Sequence, residues 1–217
     1  MGFNEFLDKQ DEVYSRFRDT SKIHNEGTKP AVPERQGGYL IVFRHSQEIA
    51  QKISDFSKRI SQAIPSLFYD FATIHTTISD LIMGENFTPE KDTLEKLCAS
   101  VVVAKIVNKP QILYSEWLYN QNTVLAAGIP DQPFFDIIQD VYSLGKQKGL
   151  SVRLPWGAHI TVSRFLEERK PEELDDFVKL MKEAPILGES TPENIDVGYF
   201  DFGRNGFKIE TYERFKL

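Results

Sequence analysis

The sequence predicts an α+β fold made of two similar halves that face each other across a cleft. Three observations predict it. A short pattern occurs twice, as His75-Thr76-Thr77-Ile78-Ser79 and as His159-Ile160-Thr161-Val162-Ser163. The shift of 84 residues that superposes these copies also superposes the elements around them. Helical and extended patterns alternate through a chain of 217 residues, 41% of them apolar, which is enough to bury a proper core.

Residues 3 to 18 place Phe3, Phe6, Leu7, Val13, Tyr14 and Phe17 at helical spacing, which predicts a helix packed on the main body. Residues 19 to 37 are polar and carry Gly27, Pro30, Pro33 and Gly37, the composition of an extended, solvated linker. Tyr39-Leu40-Ile41-Val42-Phe43 is a run of strand formers. Ser46 then begins a helix with the stripe Ile49, Ile53, Phe56, Ile60 and Ile64, stopped by Pro65. Leu67 to Ser79 reads as extended and ends in the first motif. After a loop at Gly84 to Phe87, Thr88-Pro89-Glu90 predicts a helix start, with threonine as cap and proline at the first position. Its stripe is Leu94, Leu97, Cys98, Val101 and Lys105, the last through its aliphatic stem, and Asn108-Lys109-Pro110 ends it. Gln111 to Tyr119 follows as a strand.

The order then begins again. Thr123 to Ala127 is a strand closed by Gly128. Asp131-Gln132-Pro133 starts a helix with the stripe Phe134, Ile137, Ile138, Val141 and Tyr142, closed by Gly149. Ser151 to Phe165 is extended and holds the second motif. Lys170-Pro171-Glu172 opens another helix, with Leu174, Phe177, Val178 and Met181 inward. A loop with Pro185, Gly188 and Pro192 leads to a hairpin of Asn194 to Phe202 and Phe207 to Tyr212, turning at Gly203 to Gly206.

The shift that takes His75 to His159 also takes Thr77 to Thr161, the strand near Tyr39 to that near Thr123, and the strand near Gln111 to that near Ile195. A duplicated strand-helix-strand-helix-strand unit accounts for this. The expected organisation is an N-terminal helix and linker over 1–38, then a bilobal domain over 39–217, with lobes at 39–120 and 121–217. A pseudo-twofold axis would set antiparallel sheets against a central cleft, with helices outside.

The net charge of −6 speaks against a broad surface for long nucleic acid, and leaves room for a small phosphorylated ligand in a local basic pocket. Cys98 is the only cysteine, so neither a disulfide framework nor a cysteine zinc site is expected, which fits a reducing cytoplasm. No stretch approaches the ~20 apolar residues of a membrane span. Met1 to Glu5 lacks the basic start and apolar run of a leader, and a monomer is expected.

On a strand, the histidine and the hydroxyl residues two and four places later share one face. Each motif therefore offers a row of imidazole and hydroxyls. In-line attack on a phosphodiester needs a proton taken from the nucleophile on one side of phosphorus and a proton given to the leaving oxygen on the other. Two histidines on opposite walls can do both near neutral pH, with hydroxyls donating to the non-bridging oxygens. Two histidines are too few for a metal site, and no carboxylate sits beside either at ligand spacing. Neither metal nor cofactor is expected.

The paired His-x-Thr motifs, one in each half of a duplicated α+β unit, resemble the 2H phosphoesterase superfamily. This includes bacterial 2′-5′ RNA ligase-like proteins, 2′,3′-cyclic phosphodiesterases and phosphodiesterases of 2′-5′ linked oligonucleotides. The resemblance covers roughly residues 39 to 212. It implies catalytic His75 and His159, phosphate-binding Thr77 and Thr161, a bilobal fold with both motifs in a central cleft, and metal-independent chemistry. The second motif in that family often follows a proline, where this chain has Ala158. Residues 1 to 38 have no counterpart in the resemblance.

Further substrate contacts are expected from Ser79 and Ser163 by offset, and from Arg153, which lies an even six places before His159. Trp117, Tyr119, Trp156 and Tyr199 are candidates for stacking a base. Arg164, at an odd offset from His159, reads as a surface residue, as do His24 and His45. The favoured function is hydrolysis of a phosphodiester in a 2′,3′-cyclic nucleotide, an RNA end or a 2′-5′ linked oligonucleotide. Two alternatives remain. A non-catalytic module would bind a nucleotide or RNA end, although histidines intact in both copies argue against a degenerate site. A 2′-5′ RNA ligase would act in the reverse direction, but the acidic composition gives no sign of a surface for a tRNA-sized substrate.

Overall fold

The computed structural model describes residues 1–104 and 106–217. The chain runs through α1 (Phe3–Arg18), α2 (Ser21–Glu26), β1 (Arg35–Arg44), α3 (Gln47–Ala63), β2 (Thr76–Gly84), α4 (Lys91–Val103), β3 (Ile112–Tyr119), β4 (Thr123–Pro130), α5 (Gln132–Gln147), β5 (His159–Arg164), a 3-10 turn (Pro171–Glu173), α6 (Asp175–Lys182), β6 (Gly188–Ser190), β7 (Asn194–Gly203) and β8 (Gly206–Lys216). The strands form two antiparallel sheets, ordered β2-β1-β7-β8 and β5-β4-β3-β6.

These orders are the same once the two units are exchanged. The first two strands of one unit pair with the third strand of the other, so β7 completes the sheet of β1 and β2, and β3 completes that of β4 and β5. Helices exchange too. α3 packs on β5, whereas α5 packs on β2. The duplication is thus real, but each sheet takes strands from both sides of residue 120, and a division of the chain there does not follow the lobes. A hydrophobic cluster that includes Phe43, Phe56, Phe134 and Phe165 joins the two.

Helix signals act where capping groups are free to act. Ser46 Oγ accepts the Ile49 N–H, Asp131 Oδ1 accepts that of Phe134 at 3.0 Å, and the α3 stripe is buried down to Ile60. The threonine cap expected at Thr88 fails. Tyr39 OH accepts the Glu90 N–H at 2.7 Å, so helix begins only at Lys91. That helix ends at Val103, well before Pro110, and Lys105 lies outside the described residues. Residues 67–75 are not strand, because their amides turn elsewhere: Leu67 to the Arg164 carbonyl and Tyr69 to Ser57 Oγ. Strand β4 continues through Gly128, where a Cβ would stand 2.4 Å from the Ala158 carbonyl oxygen. The expected helix at Pro171 divides into a 3-10 turn and α6, and the short strand β6 forms within the expected loop around Gly188.

The expected linker also proves more ordered than its composition suggested. It holds α2, and its last residues begin β1. Among the described residues, no helix is long and apolar enough to cross a membrane.

Candidate active site

β2 and β5 are outer strands of their sheets, and they touch each other where the lobes meet. This brings the two motifs into one cleft of about 700 Å³, lined by His75, Thr77, His159 and Thr161. The local geometry repeats as well. His75 Nδ1 donates to the Thr73 carbonyl at 2.6 Å, and His159 Nδ1 donates to that of Gly157 at 3.1 Å. Both acceptors lie two residues upstream. Each bond fixes the tautomer and leaves Nε2 as the nitrogen available for chemistry.

Burial pushes the His75 imidazole down to about 4, helped by the Arg44 charge and opposed by its bond to Thr73. Burial also pushes His159 down to about 3, opposed by the bond to Gly157 and reinforced by the charges of His75 and Arg164. Both rings are therefore neutral at pH 7.

Different elements hold the two histidines. Arg44 donates to the Ala72 and Ile74 carbonyls at 2.6 and 3.2 Å, steadying the turn into His75. It is itself held by Asp196, a buried carboxylate that also accepts from Arg214 and Thr211. Although burial raises the Asp196 pKa, the guanidiniums of Arg214 and Arg44 outweigh it and leave a net lowering. On the other wall, Gln10 Oε1 of α1 accepts the Ala158 N–H at 2.7 Å, and Tyr14 OH donates to the Ala158 carbonyl at 2.9 Å. Trp156 lies flat on His159, with ring centroids 3.9 Å apart, and Phe17 stacks on Trp156. His75 has a looser aromatic neighbour in Phe207, at 5.6 Å.

Strand alternation holds only as far as the threonines. Val42 pairs with Thr77 and Ile41 with Ser79, which leaves Ile78 as an extra residue. Leu125 pairs with Thr161 and Val124 with Ser163, which leaves Val162 extra. A bulge at the same place in both copies reverses the faces beyond it. Ser79 and Ser163 are therefore buried, donating to the Arg153 and Leu67 carbonyls at 2.8 and 3.3 Å. The expectation that they contact substrate is corrected. Asp80 and Arg164 take the cleft face instead.

Arg153 does line the cleft, but its guanidinium is bidentate to Asp80 at 2.7 and 2.8 Å. Trp117, Tyr119 and Tyr199 are placed elsewhere, which corrects all three. Trp117 packs on Phe56 and donates to the Pro185 carbonyl, Tyr119 packs edge-on to Phe177, and Tyr199 neighbours Phe87. On β7 it is Phe200, beside Tyr199, that lines the cleft. His45 is another correction. It is buried, and shares hydrogen bonds with Ser190 Oγ at 2.8 Å and Thr76 Oγ1 at 3.0 Å, next to Tyr114 OH. This cluster explains the inward polar Thr76 and ties the two sheets together behind His75.

No protein-family model matches the sequence, and no curated protein matches it. Solved structures do. TT0787 of Thermus thermophilus superposes with a TM-score of 0.57 at 13% identity, over 83% of this chain and 97% of that one. E. coli LigT, crystallised with 3′-AMP, superposes with a TM-score of 0.53 at 13% identity, over 84% and 98%. A structure described as a phosphoesterase gives 0.50 at 14% identity, over 83% and 98%. This chain is built on the LigT fold. Nearly all of each of these three chains is matched, and the surplus length lies on this side of the comparison.

Proposed function

We propose that this chain is a two-histidine phosphodiesterase of the 2H type, hydrolysing a phosphodiester in a 2′,3′-cyclic nucleotide, an RNA end or a 2′-5′ linked oligonucleotide. The observation that carries the reading is the duplicated pair. Two imidazoles with matching Nδ1 tethers enter one cleft, each with a threonine hydroxyl on the same face. One neutral histidine takes a proton from water as its oxygen attacks phosphorus. The other, protonated, gives its proton to the departing ribose oxygen. Thr77 and Thr161 donate to the non-bridging oxygens, and Arg164 balances the charge that builds there. The products are a phosphate monoester and a free hydroxyl.

The low imidazole pKa values suit an anionic substrate. A phosphate entering the cleft favours the charged ring, so the proton needed by the acid arrives with the ligand. The proton transfers assigned to the two histidines need no metal ion. The co-crystallisation of E. coli LigT with 3′-AMP supports a nucleotide-sized ligand. The single cysteine supports a reducing, cytoplasmic setting.

The test is turnover of 2′,3′-cyclic nucleotides, 2′-5′ and 3′-5′ dinucleotides and 3′,5′-cyclic nucleotides in the presence of chelator, for the wild type, His75→Ala and His159→Ala. Chelator-resistant turnover lost in both variants is expected, and the best compound names the substrate. Turnover untouched by either variant would overturn the assignment. Nucleotide binding without any turnover would make the cleft a binding module.

A further inference from the structure

We propose that residues 27–33 form a strap that restricts the cleft to small nucleotides and chain ends, excluding phosphodiesters inside a continuous chain. The proposal rests on the phosphodiesterase reading for the nature of the ligand, and on the strap's own geometry for the restriction.

The strap is fastened at both ends, to different lobes. Thr28 is buried, and its N–H donates to the Arg169 carbonyl at 2.9 Å. Its hydroxyl donates to the Glu167 carbonyl and accepts the Arg169 N–H, both at 2.9 Å. The Lys29 N–H donates to the Gln121 carbonyl at 2.7 Å, and the Lys29 carbonyl accepts from Asn122 Nδ2 at 2.9 Å. All these partners lie just beyond the ends of β3 and β5, on the lobe that carries His159. Gly27 makes the approach possible: its φ is +79°, and a Cβ there would stand 1.8 Å from the Arg169 carbonyl oxygen. A few residues later the chain has joined the other lobe, where Arg35 pairs with Gly203 and Gln36 with Phe202.

Between these fastenings, Pro30, Ala31, Val32 and Pro33 line the same cleft as the two histidines. Two prolines in four residues limit how far this stretch can lift. A mononucleotide or a terminal nucleotide can enter a cleft of about 700 Å³ beside the strap. A chain continuous on both sides of the scissile bond has to pass beneath a segment whose two ends are tied down. Such tying serves no purpose for a solvated linker, which needs no buried threonine and no contact with the catalytic cleft.

The experiment compares a linear dinucleotide with a small circular oligonucleotide carrying the same linkage and no ends. Rates are measured alongside affinities, obtained by competition against a labelled nucleotide. A second protein carries about eight Gly/Ser residues inserted between Ala31 and Val32, which lengthens the strap and leaves its fastenings intact. In the wild type, the circle is expected to lose to the dinucleotide by about tenfold or more in both rate and affinity, and the insertion should narrow that ratio severalfold. Equal handling of circle and dinucleotide by the wild type would overturn the proposal. So would a ratio unchanged by the insertion in a protein of unaltered melting temperature. If neither compound is turned over, the phosphodiesterase reading fails, while the competition affinities still decide whether the strap selects.

Discussion

Asp80 and Arg164 hold the same place in the two copies of the motif, 84 residues apart, and carry opposite charges. Both reach the cleft because of the matching bulges at Ile78 and Val162. Asp80 is neutralised by Arg153. Arg164 makes no ion pair among the described residues, and its guanidinium lies 5.3 Å from the centroid of Phe202. The symmetric histidines therefore sit in an asymmetric field, with a cation that makes no ion pair among the described residues on the His159 wall.

Replacing Arg164 by Gln is expected to lower kcat/KM by about a hundredfold or more, the usual scale for losing one donor to a charged transition state. Asp80→Asn releases Arg153 and should move binding the other way, lowering KM a few-fold, because an exposed pair is worth at most about 1 kcal/mol. Steady-state kinetics of the two variants on the preferred substrate would expose the error in this picture if Arg164→Gln behaved like wild type.

Proton uptake on ligand binding follows from the histidines. At pH 7 both rings are neutral in the free protein, with pKa values of about 4 and about 3. A bound phosphate ester raises the pKa of the nearer ring, so binding takes up a proton, and affinity rises as pH falls toward the free-state values. Calorimetry of phosphate monoester binding in two buffers of different ionisation enthalpy should show the uptake. It should shrink in either His75→Gln or His159→Gln, whichever removes the acceptor. Uptake equal in all three proteins would place the proton elsewhere.

Much of this was legible from residue patterns, and the failures have local causes. Apolar periodicity locates α3 and α5, and their capping side chains act as expected: Ser46 Oγ accepts the Ile49 N–H, and Asp131 Oδ1 accepts that of Phe134 while its Oδ2 accepts that of Gln111. His75, Thr77, His159 and Thr161 were placed together because duplication gave each one an equivalent. Ser79 and Ser163 were misplaced by an assumption of regular alternation, and the same bulges hid Arg164. Periodicity alone does not register an inserted residue. His45 looked like a surface histidine because its partners Thr76, Tyr114 and Ser190 come from three distant strands. The pairing of β7 with β1 and of β3 with β4 likewise depends on which lobe a strand enters, and element order does not specify that.

Acid should destabilise the protein, in part through His45. Burial is the main cause pushing its imidazole down to about 3, and the charges of His75 and Arg44 add to the effect. The unfolded state, with a pKa near 6.5, binds more protons than the folded state below that pH. Stability is therefore complete above about pH 6.5 and falls as pH drops toward 3, by a few kcal/mol across the window. His45→Gln keeps hydrogen-bonding groups and removes the titration. Its chemical-denaturation midpoint should be lower at pH 7.5, and should fall less steeply with acid than that of the wild type. Parallel slopes for the two proteins would remove His45 from the account.

The α1 clamp on Ala158 should act through His159. Gln10 and Tyr14 hold the two sides of the residue immediately before the histidine, its N–H and its carbonyl. Gln10 is itself buried, so Gln10→Leu leaves the Ala158 N–H without its acceptor, at a cost of about 1–3 kcal/mol in stability. A small displacement of β5 at this point carries the imidazole with it and weakens proton transfer more than ground-state binding. The expected signature is a kcat lowered by about tenfold or more, with KM changed much less. The decisive comparison is made in a His159→Ala background. There Gln10→Leu should cost little further activity, since residues acting through one group are not additive. If it cost the same factor in both backgrounds, the helix would serve stability alone, and His159 would owe its position to β5 and Trp156.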